Sequence, residues 1–269
     1  MQRPTASKPT LHAPWRWALL GGLLGLLLAA VAGAPARWLG SAVRWATQDR
    51  VVLQAERGTV WSGSATLLLT GGAGTQDRRS LPGRINWRWG LAWPGLSLQV
   101  FAECCTAQPL QWQLLVTGEG LAVHLQDQQS HWPVNLLTGL GAPWNTLDAE
   151  GRLQWQSVGL QLRWQQGRLR WQGQTQLHMQ QLTSRLSTLR PMGSYQIVLQ
   201  GTSAGTPEPE LTLRTLEGPL LLQGQGQWQA QRLRFTGEAS AQEGAEAALA
   251  NLLNIIGRRE GSRSLLSLG

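Results

Sequence analysis

Lysine is almost missing from this chain of 269 residues, because Lys8 is the only lysine and arginine supplies the other basic residues. Charged residues make up 14% of the chain, against about 25% in an average soluble domain. The net charge is nevertheless +8. Since the arginines occur singly within strand-like runs, and not as a clustered stripe, the pattern argues against a nucleic-acid partner and favours a solvated sheet face.

Cysteine is equally scarce, and the two cysteines, Cys104 and Cys105, are neighbours in the sequence. Neighbouring residues of a strand point to opposite faces, so both cannot pack inward. Two interpretations stay open. The pair forms a disulfide or intermolecular bridges in an oxidising compartment, or it consists of two free thiols with one of them buried.

Residue patterns that carry enzyme chemistry are also missing. The sequence has no Gly-x-Ser-x-Gly motif, no P-loop and no Rossmann fingerprint. Ser62 and Ser64 have no histidine in a plausible triad context, and no histidine has metal-ligand spacing with cysteines or paired carboxylates. We therefore expect no catalytic residue, no metal site and no cofactor. The four histidines are His12, His124, His131 and His178.

A long uncharged segment, residues 17–36, is the main feature near the N-terminus. About 20 helical residues cross the hydrocarbon core of a bilayer. The preceding residues 1–16 contain Arg3, Lys8 and Arg16 but no acidic residue, and the positive-inside rule leaves such a flank in the cytoplasm. The sequence therefore predicts a cytoplasmic tail followed by one transmembrane helix.

A cleaved signal peptide is the alternative, with Ala32-Gly33-Ala34 as its small-x-small site. The apolar core of a signal peptide is shorter, roughly 7–15 residues. The length of the uncharged segment therefore favours a retained anchor, and residues 37–269 are predicted to form a domain on the periplasmic side.

The predicted domain consists of strands with alternating apolar and polar residues. In residues 151–180 the alternation is strict, which indicates half-buried strands, and Gly159, Gln166-Gly167 and Gly173 are predicted turns. No helix separates the strands regularly, so we predict an all-β fold: a curled antiparallel meander or half-open barrel. Similar runs occur at 51–55, 59–69, 84–89, 96–103, 110–116, 121–126, 195–200, 211–216, 220–228 and 232–237.

Short helices are predicted at three places in the domain. Residues 37–46 continue the membrane segment, and residues 133–140 form a central helix with proline near its start. Residues 245–256 form an amphipathic helix that ends at a glycine. Strands followed by a short helix occur twice, which leaves two interpretations open: two stacked halves, about 47–145 and 146–269, or a loose duplication.

Tryptophan is abundant, with 15 copies against one tyrosine and two phenylalanines. Trp155, Trp164 and Trp171 alternate with polar residues in phase with leucines, so we interpret them as filling the apolar face of the sheet. Trp87, Trp89 and Trp93 leave a second interpretation open: a platform for sugar, lipid or peptide.

Five short motifs follow one another along most of the chain, at residues 58–65, 136–144, 189–195, 216–220 and 256–259. Their order, together with the N-terminal membrane segment and the length, resembles the type II secretion system protein N family. The motif residues, which we expect to be structural, are Trp61, Ser62, Gly63, Gly139, Gly141, Trp144, Pro191, Gly193, Tyr195, Gly218 and Pro219.

This resemblance implies an accessory component of the machinery that exports folded periplasmic proteins through the outer membrane. The implied location is the cell inner membrane. The implied partners are inner-membrane lipids and other secretion components, namely the inner-membrane platform, the pseudopilus or the secretin. The family has no assigned catalytic residues, so none is carried over.

A more distant resemblance concerns the fold alone. The glycine-punctuated strands resemble those of AsmA-like membrane-anchored proteins, whose curled sheets form an apolar groove linked to lipid handling. Envelope lipid binding is therefore the alternative function. A sugar- or peptidoglycan-binding domain is a third hypothesis, which depends only on the tryptophan count.

Overall fold

The computed structural model of the protein describes residues 15–118, 120–142, 144–165, 168–202, 208–229 and 232–269. Most of the predicted cytoplasmic tail, the predicted turn at Gln166-Gly167 and motif residue Pro143 lie outside these ranges.

The chain begins with two consecutive helices, α1 (Trp15–Ala32) and α2 (Ala36–Ala46). Within the described ranges, α1 is the one helix long and apolar enough to cross a membrane, and none of its residues is buried. It ends four residues before the predicted boundary at residue 36. The reason is Pro35, which is extended at φ −70° and ψ 146° and starts α2 instead of ending α1.

The all-β prediction is confirmed, because sixteen strands form one open antiparallel sheet in the described part of the chain. The strands are β1 (Val51–Gly58), β2 (Ser62–Thr70), β3 (Arg78–Ser80), β4 (Ile85–Ala92), β5 (Gly95–Ala102), β6 (Leu110–Thr117), β7 (Gly120–Leu125), β8 (Gln128–Pro133), β9 (Glu150–Gln165), β10 (Arg168–Thr183), β11 (Gly193–Gln200), β12 (Glu210–Glu217), β13 (Leu220–Gln229), β14 (Arg232–Ala241), β15 (Arg258–Glu260) and β16 (Arg263–Leu268).

The strand order β1-β2-β4-β5-β6-β7-β9-β10-β11-β12-β13-β14-β16-β15 is a meander. Connections therefore alternate between the two ends of the strands. We call these two ends edges, as distinct from the outermost strands β1 and β15. We call the edge with the β1–β2, β4–β5, β6–β7, β9–β10, β11–β12 and β13–β14 connections the anchor edge. The opposite edge is called the far edge.

The sheet is strongly curled. Trp171 on β10 and Trp228 on β13 have ring centroids 6.1 Å apart, although two strands lie between them, which in a flat sheet separates β10 from β13 by about 14 Å. The face that carries both rings is therefore concave. Trp155 and Trp164 share this face with Trp171, as the pairs Leu177–Trp155, Leu169–Trp164 and Trp171–Leu162 show.

The turns predicted at Gly159 and Gly173 are wrong, because both glycines lie inside the 16-residue strands β9 and β10. Pairing shifts between Gln172 and Gln174, which marks a β-bulge. Gly159 and Gly173 have φ of +58° and +87°, and a Cβ on Gly173 would clash with the carbonyl oxygen of Gly159. Glycine at these positions therefore bends two long strands.

The predicted amphipathic helix is α4 (Glu246–Ile256), which lies at the far edge. Its buried residues Leu249, Leu252 and Leu253 contact Tyr195 and Leu220 in one core cluster. The predicted central helix is a 3₁₀ helix (Val134–Leu140) that begins one residue later than predicted, because Pro133 still belongs to β8. A four-residue helix, α3 (Trp144–Leu147), follows it.

Candidate functional site

The first motif joins the sheet to the helical segment. The indole Nε1 of Trp61 donates a hydrogen bond to the carbonyl oxygen of Val31 in α1 at 2.7 Å. The backbone N–H of Val60 donates to the carbonyl of Ala34 at 2.8 Å, and Pro35 forms a β-bridge with Thr59. The β1–β2 turn at the anchor edge is therefore fastened to the end of α1. We call this contact the junction.

Trp87 supports the junction from the concave face. Its ring is 6% exposed, and its Nε1 lies 3.2 Å and 3.0 Å from the carbonyl oxygens of Thr59 and Val60. A Cβ on Gly63 would lie 2.6 Å from the Trp87 ring, so only glycine fits there. The N–H of Ser62 donates to the Thr59 hydroxyl at 3.1 Å, which closes the turn.

The second motif lies at the far edge, where the 3₁₀ helix crosses β2 and β3. A Cβ on Gly139 would lie 2.5 Å from the carbonyl oxygen of Leu69, so the close approach requires glycine. Arg79 Nε donates to the Thr138 hydroxyl at 3.0 Å. Gly141 follows with φ +79°, and Trp144, 39% exposed, begins α3.

The third and fourth motifs meet around Tyr195. Its hydroxyl lies 3.1 Å from the carbonyl oxygen of Leu220 and 3.3 Å from that of Met192. Burial raises the pKa of Tyr195 well above its usual range, because the phenolate loses its hydration. Gly193 and Gly218 lie so close that a Cβ on either would clash with the other motif. The sequence separates these motifs, whereas the structure brings them together under α4.

The remaining residues of these two motifs have different environments. Pro191 is exposed in the β10–β11 connection, two residues before β11 begins. The Pro219 carbonyl accepts a hydrogen bond from the N–H of Gln242 at 2.8 Å, which ties the β12–β13 turn to the chain leading into α4.

The adjacent cysteines lie in the β5–β6 connection at the far edge, where the structure joins them by a disulfide bond. Cys104 is exposed, whereas Cys105 is 4% exposed and contacts Leu81, Ala102 and Leu136. The carbonyl of Cys105 accepts a hydrogen bond from the N–H of His131 at 2.8 Å. The pair therefore contributes one core residue and one surface residue.

Comparison with protein families identifies the chain. The model of the type II secretion system protein N family matches residues 49–265, a range that contains all five motifs and nearly the whole sheet. The chain belongs to the type II secretion system protein N family. No curated protein and no solved structure matches it, and the AsmA-like resemblance stays a prediction.

The convex face also carries a polar row that no sequence motif marks. Arg214 Nε donates to the Gln196 side-chain oxygen at 2.6 Å, and the Gln196 amide nitrogen lies 2.8 Å from His178 Nε2. Gln223 and Glu238 bond to each other in the same row. The polar phase of the alternation was the signal that could have found this row.

The tryptophans of the chain differ in exposure more than their common face predicts. Trp155 and Trp171 are half-buried, but Trp164 is 51% exposed. Trp164 therefore lies on the predicted apolar face but is not enclosed there, because β11 pairs with β10 only from Gln174 onward and leaves this end of the β9–β10 hairpin uncovered on that side. Trp87 is buried, while Trp93 is 99% exposed.

Among the residues that the structure describes, no group of three or more His, Cys, Asp or Glu side chains could hold a metal ion.

Proposed function

We propose that this chain is an accessory inner-membrane component of the type II secretion system, which acts by protein contacts in the export of folded periplasmic proteins. Residues 17–36 anchor it by a single pass, with residues 1–16 in the cytoplasm and residues 37–269 in the periplasm. Its partners are inner-membrane lipids and the inner-membrane platform, the pseudopilus or the secretin.

The observation that carries this proposal is the family match over residues 49–265. The apolar helix α1 supports a membrane anchor, since Arg16 is the only charged residue among its 18 residues and none of them is buried against the sheet. The junction supports the same arrangement, because it holds the sheet directly beside the end of that helix.

The test is deletion of the gene in the organism that carries it. We expect exported proteins to accumulate in the periplasm, and expression of the full chain to restore their release. Replacing residues 17–32 by an unrelated single membrane span is the matched control, and it should still restore release if α1 serves as an anchor. Normal export by the deletion strain would contradict the proposal.

A second candidate function, envelope lipid binding, is favoured by the concave face. Trp89, Trp112, Leu114 and Leu162 on this face are only half-buried, so apolar surface is available for an acyl chain. The test is native mass spectrometry of the purified full chain. A lipid adduct is expected if the face binds lipid, and an adduct-free mass contradicts lipid binding without affecting the secretion proposal.

We also propose that Cys104 and Cys105 form their disulfide in the oxidising periplasm. Alkylation of the denatured protein should label neither cysteine before reduction and both cysteines after it. Labelling before reduction would mean that the thiols are free in the cell.

A further inference from the structure

Large apolar side chains are exposed on several hairpins of the anchor edge. Leu91 and Trp93 at the β4–β5 connection are 92% and 99% exposed. Val116 near the β6–β7 connection is 74% exposed, and Trp164 and Leu169 beside the β9–β10 connection are 51% and 56% exposed. Soluble monomers rarely expose contiguous apolar patches of this kind without a binding function.

The exposed residues form a continuous row and not scattered points. Val116 pairs with Leu121, Leu121 pairs with Trp164, and Trp164 pairs with Leu169. Directly paired residues of neighbouring strands have Cβ atoms about 5 Å apart, so the four side chains line up across β6, β7, β9 and β10. We call this the tip row.

The tip row lies at the anchor edge, where the junction also holds the end of α1. Arg88 of β4 pairs with Ser62, next to the junction, and the N–H of Trp89 donates to the carbonyl of Trp61 at 2.7 Å. The strand then continues to Ala92, four residues and roughly 13 Å beyond that pair. The β4–β5 hairpin therefore extends past the junction, which holds the end of α1 at this edge.

Two arginines lie on the convex face, each one residue farther from the anchor edge than a tip-row residue on the same strand. Arg163 and Arg170 are both exposed and pair directly across β9 and β10. Like charges that face each other across two strands repel, and no ion pair in the described part of the chain includes either residue. An anion between or beside them would remove this repulsion.

We propose that the tip row, together with Leu91 and Trp93, rests on the periplasmic leaflet of the membrane that α1 crosses. Tryptophan is enriched where membrane and water meet, and arginines bind anionic headgroups. The junction keeps this edge close to the bilayer, so the contact needs no separate encounter. The inference depends on the proposed membrane anchor, and it adds a second contact with the same membrane.

The test uses the full chain in lipid nanodiscs of phosphatidylethanolamine and phosphatidylglycerol. A nitroxide is attached through a ketone-bearing amino acid, so that both cysteines stay unchanged. Probes replace Trp93, Val116 or Leu169, with Leu24 in α1 as the lipid reference and Arg185 at the exposed far edge as the water reference. Power-saturation EPR then compares collisions with oxygen and with a polar nickel complex.

We expect nickel collisions at positions 93, 116 and 169 to be several-fold lower than at 185, and to approach the value at 24. If position 24 reports lipid while the three tip positions match position 185, the inference is wrong and the anchor stands. If position 24 itself collides freely with nickel, the proposed anchor is wrong. Spin–spin broadening at the tips would indicate contact between two copies and would also overturn the inference.

A charge variant provides the second measurement. The double substitution Arg163→Gln and Arg170→Gln should raise nickel collisions at position 169 in nanodiscs that contain phosphatidylglycerol. The matched control is Arg152→Gln with Arg185→Gln, which removes the same charge from the far edge and should leave position 169 unchanged. Equal effects of the two double variants would contradict headgroup binding by Arg163 and Arg170.

Discussion

Tyr195 is the only tyrosine of the chain, and it is 1% exposed where the third and fourth motifs meet. Burial raises its pKa, so the folded protein holds the neutral phenol at pH values where an unfolded chain ionises. The resulting stabilisation is complete below the unfolded pKa of about 10 and is lost as the pH rises above that value.

We predict that Tyr195→Phe lowers the free energy of unfolding at neutral pH by about 1–2 kcal/mol, because buried carbonyl oxygens lose their phenolic donor. Above pH 10 the wild type should lose up to about 1.4 kcal/mol per pH unit from this group, and the variant should not. Urea unfolding of both proteins at neutral and alkaline pH measures the difference. Parallel alkaline losses in the two proteins would contradict the assignment to Tyr195.

Trp61 gives a second prediction at the same scale. Trp61→Phe keeps an aromatic side chain at this position but removes the hydrogen bond to Val31, which is worth about 1 kcal/mol. Exchange of the neighbouring Val60 amide should therefore become about fivefold faster, as hydrogen-exchange mass spectrometry measures. The matched control is Trp45→Phe, since Trp45 is 86% exposed in α2. An unchanged exchange rate in Trp61→Phe would mean that the indole does not fasten the junction.

Among the helices, α4 makes the clearest packing prediction, because it presents one face to the sheet. Leu253 is fully buried, while Ile255 on the same helix is 52% exposed. Leu253→Ala should lower the free energy of unfolding by about 2–5 kcal/mol through lost burial and a cavity. Ile255→Ala should change it by less than about 0.5 kcal/mol. Equal losses in urea unfolding would mean that α4 does not cover the far edge as described.

Strand positions were predictable from alternation wherever the alternation was uninterrupted. The predicted run 110–116 became β6 (Leu110–Thr117), and 220–228 became β13 (Leu220–Gln229). The short strands β3 and β15 were missed because three residues are too few for a period to appear. The sequence predicts turns at Gly159 and Gly173, since a glycine with positive φ serves in turns and bulges alike, and only the partner strand distinguishes the two.

The motif residues were recognisable in the sequence, but their common environment was not. Ser194 pairs with Glu217, and this pairing alone brings Gly193 next to Gly218. Such a contact depends on which strands become neighbours, which local periodicity does not contain. The tip row has the same origin, because its four residues come from four strands and form one row only in the register of the folded sheet.

For the whole molecule, the proposed topology predicts where each terminus lies. Alkaline phosphatase requires disulfides to fold, so its fusion after Gly269 should be active in the oxidising periplasm. The same enzyme fused before Met1 should be inactive in the cytoplasm. Enzyme assays on intact cells, normalised to the amount of each fusion, check both expectations. The reverse pattern would contradict the proposed orientation.

The meander order of the sheet has a consequence for how the domain is made. Most strands pair with the strand that precedes them in the sequence, so each pairing closes only a short loop. A domain that emerges from a translocation channel with β1 first can therefore add one strand at a time to the outermost strand already in place. The outermost strand then changes as each strand is added, while β1 stays the other outermost strand of the open sheet, where α2 contacts it. The proposed anchor α1 would give this stepwise assembly a fixed starting point.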